Sequence, residues 1–446
     1  MEDKTKPTTW YHDNLSPEIN GVSFPVLEKD YQCDVAIIGG GLAGLALAYE
    51  LSKKNVPYVL VESKKFGDTA SGRNGGFCSP GWAANRTALL KRLGNNKSVK
   101  LHNISLEGFK WVLERAQKVT SSKCIMGSGH LSLFTYGNEK AVARQLKKEN
   151  LLFAEDKEFI PGSELEEFTS SPLYKFGIWS RTAFHLNPLY FILSLAKEIM
   201  QMNGKIYQES KMLHFERKSN SFEVTIERGH KIKARRIVIA TGGYGGKENG
   251  FINSRWLPVN TYIGVTSQIG NIVKEHIKTN SSISDTRRAG NYYRLLPENR
   301  ILWGRGIRAF SNPTTSQIEC GIKNDLLKFY PKLLDSVAAY HDLRIDYIWS
   351  GKMAYAWHMM PYVGLVEPDL YCLTAFGGHG INTAPAGAII MAEMLEGDFR
   401  RSNVFNSFPL AWNGGLLGSL AAETLYSFMK LNDITRKVFQ KKSSVR

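Results

Sequence analysis

The hydrophobic pattern of this chain is one of short apolar runs closed by glycine, followed by helical stripes and, further along, by strict alternation. Val35–Ile38, Tyr58–Val61, Ile237–Ala240 and Leu370–Thr374 are apolar at almost every position. Runs of that length predict strands buried on both faces, as in a parallel sheet. Helical patterning predicts helices over 42–53, around 98–119 and 137–149, from 188 to about 202, near 322–335 and over 384–395. Asn187-Pro188 supplies a capping side chain and a proline at the first helical position, and Gly204 closes that helix. Lys205–Glu209 reads as a strand, and alternation marks Ser221–Ile226, Lys231–Lys233 and Val259–Ser267. Asn291–Leu296 and Ile301–Trp303 flank a hairpin turn, and Arg344–Trp349 is a further strand. The chain is therefore α/β at its start, with an α+β part containing an antiparallel sheet over 255–350. At 446 residues it exceeds one compact core, which predicts two domains sharing an interface.

The most informative stretch is 33–62. Gly39, Gly41 and Gly44 follow the first apolar run in G-x-G-x-x-G spacing, a helix follows, and the second run ends in Glu62. Gly39 permits the strand-to-helix turn, Gly41 admits a pyrophosphate to the backbone, and Gly44 lets helix and strand approach. Free N–H groups and the positive dipole end at the helix start favour phosphate. An acid at the end of the second strand accepts from free ribose hydroxyls, which selects NAD or FAD over NADP.

Phe66-Gly-Asp-Thr-Ala-Ser-Gly-Arg-Asn-Gly-Gly-Phe77 is a polar loop beside the expected phosphates, either an anion nest with Arg73 adding charge or a plain surface loop. Thr241-Gly-Gly243 ends a buried strand at the sheet edge where dinucleotides lie. Phe376-Gly-Gly-His-Gly380 repeats the opening logic of strand, glycine turn and helix, so that its helix start faces an anionic group. His379 is either a pocket residue with Asn382 or a turn histidine satisfied by backbone.

Composition narrows this further. The five cysteines are scattered without C-x-x-C spacing, which argues against zinc or a disulfide framework and for a reducing cytoplasm. No signal-peptide pattern opens the chain and no apolar run is long enough to span a membrane. The formal net charge of +16 is compatible with an anionic partner, yet its lysines are spread, with the densest cluster over Lys430–Arg446. Nucleic acid is not the expected partner.

Together, Asp34–Gly44 with Glu62, Ala70-Ser-Gly-Arg-Asn-Gly-Gly-Phe77, Ala240-Thr-Gly-Gly243, Trp349-Ser-Gly351 and Phe376–Gly380 resemble the D-amino-acid-oxidase-like FAD-dependent oxidoreductases. The closer likeness is to the glycine/sarcosine oxidase and γ-glutamylputrescine oxidase branch. The resemblance implies a Rossmann-like FAD-binding domain interleaved with the α+β substrate domain: 1–90, 187–250 and 356–446 in the first, 91–186 and 251–355 in the second. It implies oxidation of a C–N bond in an amine or amino acid, with hydride passed to FAD and O2 or another acceptor reoxidising it. The cofactor-binding positions it implies are Gly39, Gly41, Leu42, Ala43, Gly44, Glu62, Ser63, Ala70, Ser71, Arg73, Asn74, Gly75, Gly76, Met212, Thr241, Gly242, Gly378, His379, Gly380, Ile381 and Asn382. The chain departs from the pattern in two places. His358 or Met359 stands near where relatives often carry an acid, and Asn382 where some carry a lysine that contacts a substrate carboxylate. Cys372 lies within a strand, which argues against a covalent flavin link there.

Four side chains are candidates for chemistry. Arg294 is either a carboxylate clamp or a strand cation; Tyr262, with Tyr293, either lines an aromatic slot or fills core; Lys352 or His358 would place positive charge near the flavin. Trp303 is expected on the same strands facing the ring. Two other readings stay open. One is a dehydrogenase of the same fold feeding a quinone or carrier, and the other a non-enzymatic basic flavoprotein or RNA-associated protein.

Overall fold

The computed structural model describes residues 9–119, 124–245, 254–287, 290–336 and 343–443. Expectations for residues 1–8, 246–250 and 444–446 lie outside them. Strands are numbered along the chain. The first sheet has the order β16 (Tyr362–Glu367), β17 (Leu370–Thr374), β10 (Lys231–Ile239), β1 (Tyr31–Ile38), β2 (Tyr58–Val61), β7 (Ile206–Tyr207). From β17 to β7 every pair is parallel, and β16 lies antiparallel at the edge. β8 (Met212–Lys218) and β9 (Ser221–Ile226) hang from the start of β10 as an antiparallel pair. Helix α1 (Leu42–Lys53) buries every residue from Leu42 to Leu51. A helix so apolar all round must be covered on all sides; it lies among β1, β2, helix α4 (Pro188–Gln201) and helix α5 (Gly380–Leu395).

Lys231–Lys233 and Ile237–Ala240, expected as separate strands, are one. The intervening Arg235 and Arg236 break the apolar pattern, yet both pair with Asp34 on the neighbouring β1, at 2.5 and 3.4 Å, so the strand runs through. Asn187 caps α4 as its sequence predicts, accepting from the Tyr190 N–H at 3.1 Å.

The second sheet runs β15 (Ile345–Tyr355), β11 (Leu257–Thr266), β14 (Arg300–Arg308), β13 (Tyr292–Leu296), β12 (Ser282–Asp285), β4 (Ile125–Phe134), β6 (Phe176–Leu186), β3 (Phe77–Cys78), with β5 (Glu158–Ile160) beside β6. Every pair is antiparallel except β12 with β4. The sheet is thus two antiparallel halves joined by one parallel seam. The two sheets touch where Tyr355 bridges Phe376 and the Gly377 N–H donates to Ala354 O at 3.0 Å. Trp10 and Tyr11 are buried, Tyr11 edge-on to Trp349 at 5.5 Å. Among the described residues no helix is long and apolar enough to cross a membrane.

Candidate active site

The turn after β1 is built by glycines for which a side chain has no room. Gly39 has φ +113°, and a Cβ there would lie 2.7 Å from Ala240 O; one on Gly44 would lie 1.9 Å from Gly39 O. Gly44 therefore serves packing and does not reach the cavity described below. The Leu42 N–H at the start of α1 donates to Ser71 Oγ at 2.8 Å, a cap supplied by a different loop. Glu62 Oε2 accepts from the Gly40 N–H at 2.7 Å, and Oε1 accepts from the Lys64 N–H at 2.9 Å and the Ser63 hydroxyl at 3.1 Å. These bonds fix the carboxylate and leave lone pairs for a ribose diol.

The 66–77 loop is no plain surface loop. Helix α2 (Ala70–Arg73) forms within it, and the Asn74 side chain donates to Ala70 O and Ser71 O while accepting from the Gly76 N–H. The Tyr11 hydroxyl and Trp349 Nε1 reach in to Asn74 O and Arg73 O, each at 2.8 Å. The loop's backbone groups are thereby aimed at one place.

That place is a cavity of about 520 Å³ between the two sheets. From the first turn Gly39, Gly41, Leu42, Ala43, Glu62 and Ser63 line it; from the loop Ala70, Ser71, Arg73, Asn74, Gly75 and Gly76; from the β8 and β10 ends Met212, Thr241 and Gly242; from the start of α5 Gly378, His379, Gly380 and Ile381. Asn382 does not: its amide donates to Gly81 O at 3.1 Å and Ser105 O at 3.4 Å, tying α5 to helix α3 (Arg86–Lys118). Two observations fit a dinucleotide here. Thr241 Oγ1 is buried at the wall without a hydrogen-bond partner, and a Cβ on Gly242 would meet nothing within 4 Å. The N-termini of α1 and α5 both open on the cavity, favouring a ligand anionic at both ends.

The far wall belongs to the second sheet, and there the expected face is shifted by one. Tyr293 stacks on Trp303 at 4.3 Å in an apolar core that also takes Tyr262, away from the cavity. Their neighbours Tyr292 and Thr261 face it. The bulge between Thr261 and Tyr262 makes the pairing of β11 with β14 irregular here. Arg294 is fully buried behind Gly76. It donates to His185 Nδ1 at 2.6 Å and Leu186 O at 3.0 Å, so the structure gives it no access to a substrate. His358 also lies outside the cavity, with Nε2 on Pro409 O at 3.2 Å. Lys352 does line it, with its ammonium 5.6 Å from the Tyr244 ring centre.

Sequence reading missed His130, Tyr292, Tyr355 and Arg305, all on the wall. His130 sits between Ser282 Oγ at 2.8 Å and Ser284 Oγ at 2.9 Å. Burial, with the nearby His379 and Lys157, brings it down to about 4. Burial also lowers His379, against the opposing pull of Ser79 O. Arg305, and not Arg294, is the arginine on the second-sheet wall, its Nε donating to Asp325 at 2.7 Å. Glu62 is the only carboxylate lining the cavity among the described residues, and it lies at the α1 end.

Comparison with known proteins agrees with this geometry. The chain is 26% identical over 435 residues to the probable oxidoreductase OrdL of Haemophilus influenzae, covering 95% of this chain and 97% of that protein. It is 26% identical over 391 residues to gamma-glutamylputrescine oxidoreductase of Escherichia coli, covering 86% and 89%. The crystal structure of glycine oxidase from Bacillus cereus superposes with a TM-score of 0.65 at 19% identity, covering 83% and 97%, and shows the shared fold. Residues 34–394 match the profile of the DAO family, FAD dependent oxidoreductase. With the glycine turns, Glu62 and the two-sheet cavity inside the matched span, the chain belongs to the DAO family of FAD-dependent oxidoreductases.

Proposed function

We propose that this enzyme oxidises the C–N bond of an amine that also carries a carboxylate, in the manner of its gamma-glutamylputrescine oxidoreductase relative, and returns the electrons to O2. The observation that carries the reading is the charge of the cavity wall. Lys352 and Arg305 line the second-sheet side, and the only lining carboxylate among the described residues is remote at Glu62. A polyamine with several cationic groups finds no counter-charge there, whereas an acidic tail meets the Lys352 ammonium beside Arg305, whose own charge is shared with Asp325. FAD would supply the two-electron acceptor for hydride leaving the carbon beside nitrogen, and the net change of amine, O2 and water would give carbonyl product, ammonia or amine, and H2O2.

The chain's own residues would hold the adenosine end through Glu62 and the α1 N-terminus, and the ring end against the Gly378–Gly380 turn. His130 and His379, both lowered by burial, are uncharged at neutral pH and add no cation beside the reacting amine. The neutral amine, whose lone pair assists hydride departure, is favoured instead by desolvation in the cavity and by the Lys352 ammonium on its wall, both of which disfavour a second cation. Lys352 is the candidate to place positive charge where O2 is reduced. The domain division that goes with this reading is 1–90, 187–250 and 356–446 for the cofactor, 91–186 and 251–355 for the substrate.

A dehydrogenase handing electrons to a quinone is the second reading, favoured by the exposed apolar helix described below. Anaerobic mixing of the yellow holoenzyme with γ-glutamyl diamines, glycine, sarcosine and plain diamines, followed by admission of air, decides both. Bleaching by carboxylated amines and peroxide on aeration are expected. A flavin that no amine bleaches overturns the first reading, and a bleached flavin that air does not restore supports the second.

A further inference from the structure

The C-terminal helix α6 (Gly415–Ser443) packs against β11 and β14 of the second sheet. Its inner side is firmly held. Glu423 accepts from Arg308 at 2.9 Å and from the N–H groups of Phe310 and Ser311 at 2.8 and 3.0 Å. Tyr426 is buried and hydrogen-bonded to the backbone of Ile307, and Asp433 accepts from the Tyr136 hydroxyl at 2.6 Å. The outer side has the contrary chemistry. Leu417, Leu420, Leu425 and Phe428 are 75, 51, 54 and 58% exposed, and Trp412, just before the helix, is 65% exposed. Their spacing sets them on one side of the helix, across from Tyr426. A contiguous apolar face held outward on a well-anchored helix marks an interaction surface.

Charge identifies the occupant. From Gly415 to Met429 the sequence has no basic residue, and from Lys430 to Arg446 it has six against Asp433 alone. A one-sided apolar helix running into a basic segment suits the lipid–water interface, where leucine and aromatic side chains enter the acyl boundary and lysines meet phosphate. A second copy of the chain is a poorer match, since it would set a formal +16 against another +16. We propose that α6 docks this protein peripherally on an anionic phospholipid surface, its Leu417–Phe428 face entering the interface. This does not depend on the proposed reaction.

The full-length holoenzyme is sedimented with vesicles of phosphatidylcholine alone and of phosphatidylcholine with phosphatidylglycerol. Binding to the anionic vesicles is expected, weakened by salt, and reduced about tenfold or more in a Leu417→Ser, Leu420→Ser, Leu425→Ser, Phe428→Ser variant. Retained flavin absorbance reports that the variant is folded. A second measurement needs only conservative change: vesicles with brominated acyl chains should quench wild-type fluorescence more than that of Trp412→Phe. Absence of binding, or equal binding by wild type and variant, overturns the proposal. So does a wild-type dimer by light scattering that the variant lacks, because a second copy then covers the face.

Discussion

Arg294 Nη1 donates to Nδ1 of His185 at 2.6 Å, and Nε2 of the same imidazole faces Asn280 O at 2.7 Å. The ring proton is thereby fixed on Nε2. Burial and the neighbouring guanidinium hold His185 down at about 3, so the imidazole stays neutral. Arg294 also reaches Leu186 O and, at 3.4 Å, the Tyr11 hydroxyl, clasping the N-terminal aromatic pair to β6. Arg294→Ala leaves acceptors unpaired and a void, and is expected to lower stability by about 2–4 kcal/mol in urea unfolding. Because the side chain does not line the cavity, kcat/KM for carboxylated and plain amines should fall together. A loss confined to carboxylated substrates would contradict the geometry.

Ser71 caps a helix it does not belong to. Ser71→Ala orphans the Leu42 N–H at the start of α1 and should cost about 1 kcal/mol. On the proposed reading, in which that N-terminus holds the diphosphate, FAD release measured by dialysis should be faster in the variant. Unchanged release with lowered stability would separate the two roles.

Gly44→Val would place a Cβ 1.9 Å from Gly39 O and force α1 off β1. The expected product is colourless protein that does not regain the flavin spectrum on incubation with FAD. Stoichiometric FAD in that variant would show that the turn does not hold the diphosphate.

Lys352→Met removes the wall cation while keeping much of its volume. Anaerobic reduction by substrate should change little, and reoxidation by O2 in stopped flow should slow by about tenfold to a hundredfold. Equal slowing of both half-reactions would assign Lys352 to substrate positioning instead.

Glu423 gives a pH signature. Burial would raise its carboxyl, but the hydrogen bonds from Ser311 and Phe310 and the Arg308 guanidinium outweigh that and hold it near 2. Its folded value lies below the unfolded one, so its contribution is complete above about 4.5 and fades as pH falls toward 2. Proteolysis or hydrogen exchange of α6 should increase over that window in wild type. In Glu423→Gln the same segment should exchange faster already at neutral pH, with a flatter response to acid.

The first βαβ unit was legible because its signals are local: strand, glycines, helix and acid follow one another within a single supersecondary unit, and Glu62 lands where the spacing puts it. The far wall was not. Which of Tyr292 and Tyr293 faces the cavity depends on the pairing of β13 with β14 and on a bulge at Thr261–Tyr262, neither of which the sequence of one strand contains. His130 was missed for a similar reason: it is isolated in a Gly/Ser-rich strand, and only pairing with β12 brings Ser282 and Ser284 to its ring. Arg294 misled because a buried arginine and a ligand-binding one look alike until the partners are known. The outward apolar face of α6 has no sequence signature separable from an ordinary amphipathic helix.

The bridge between Tyr355 and Phe376 has a consequence for access. It joins the two sheets at the wall of the cavity between them, so any parting of the sheets would first have to break this bridge and the Gly377–Ala354 hydrogen bond.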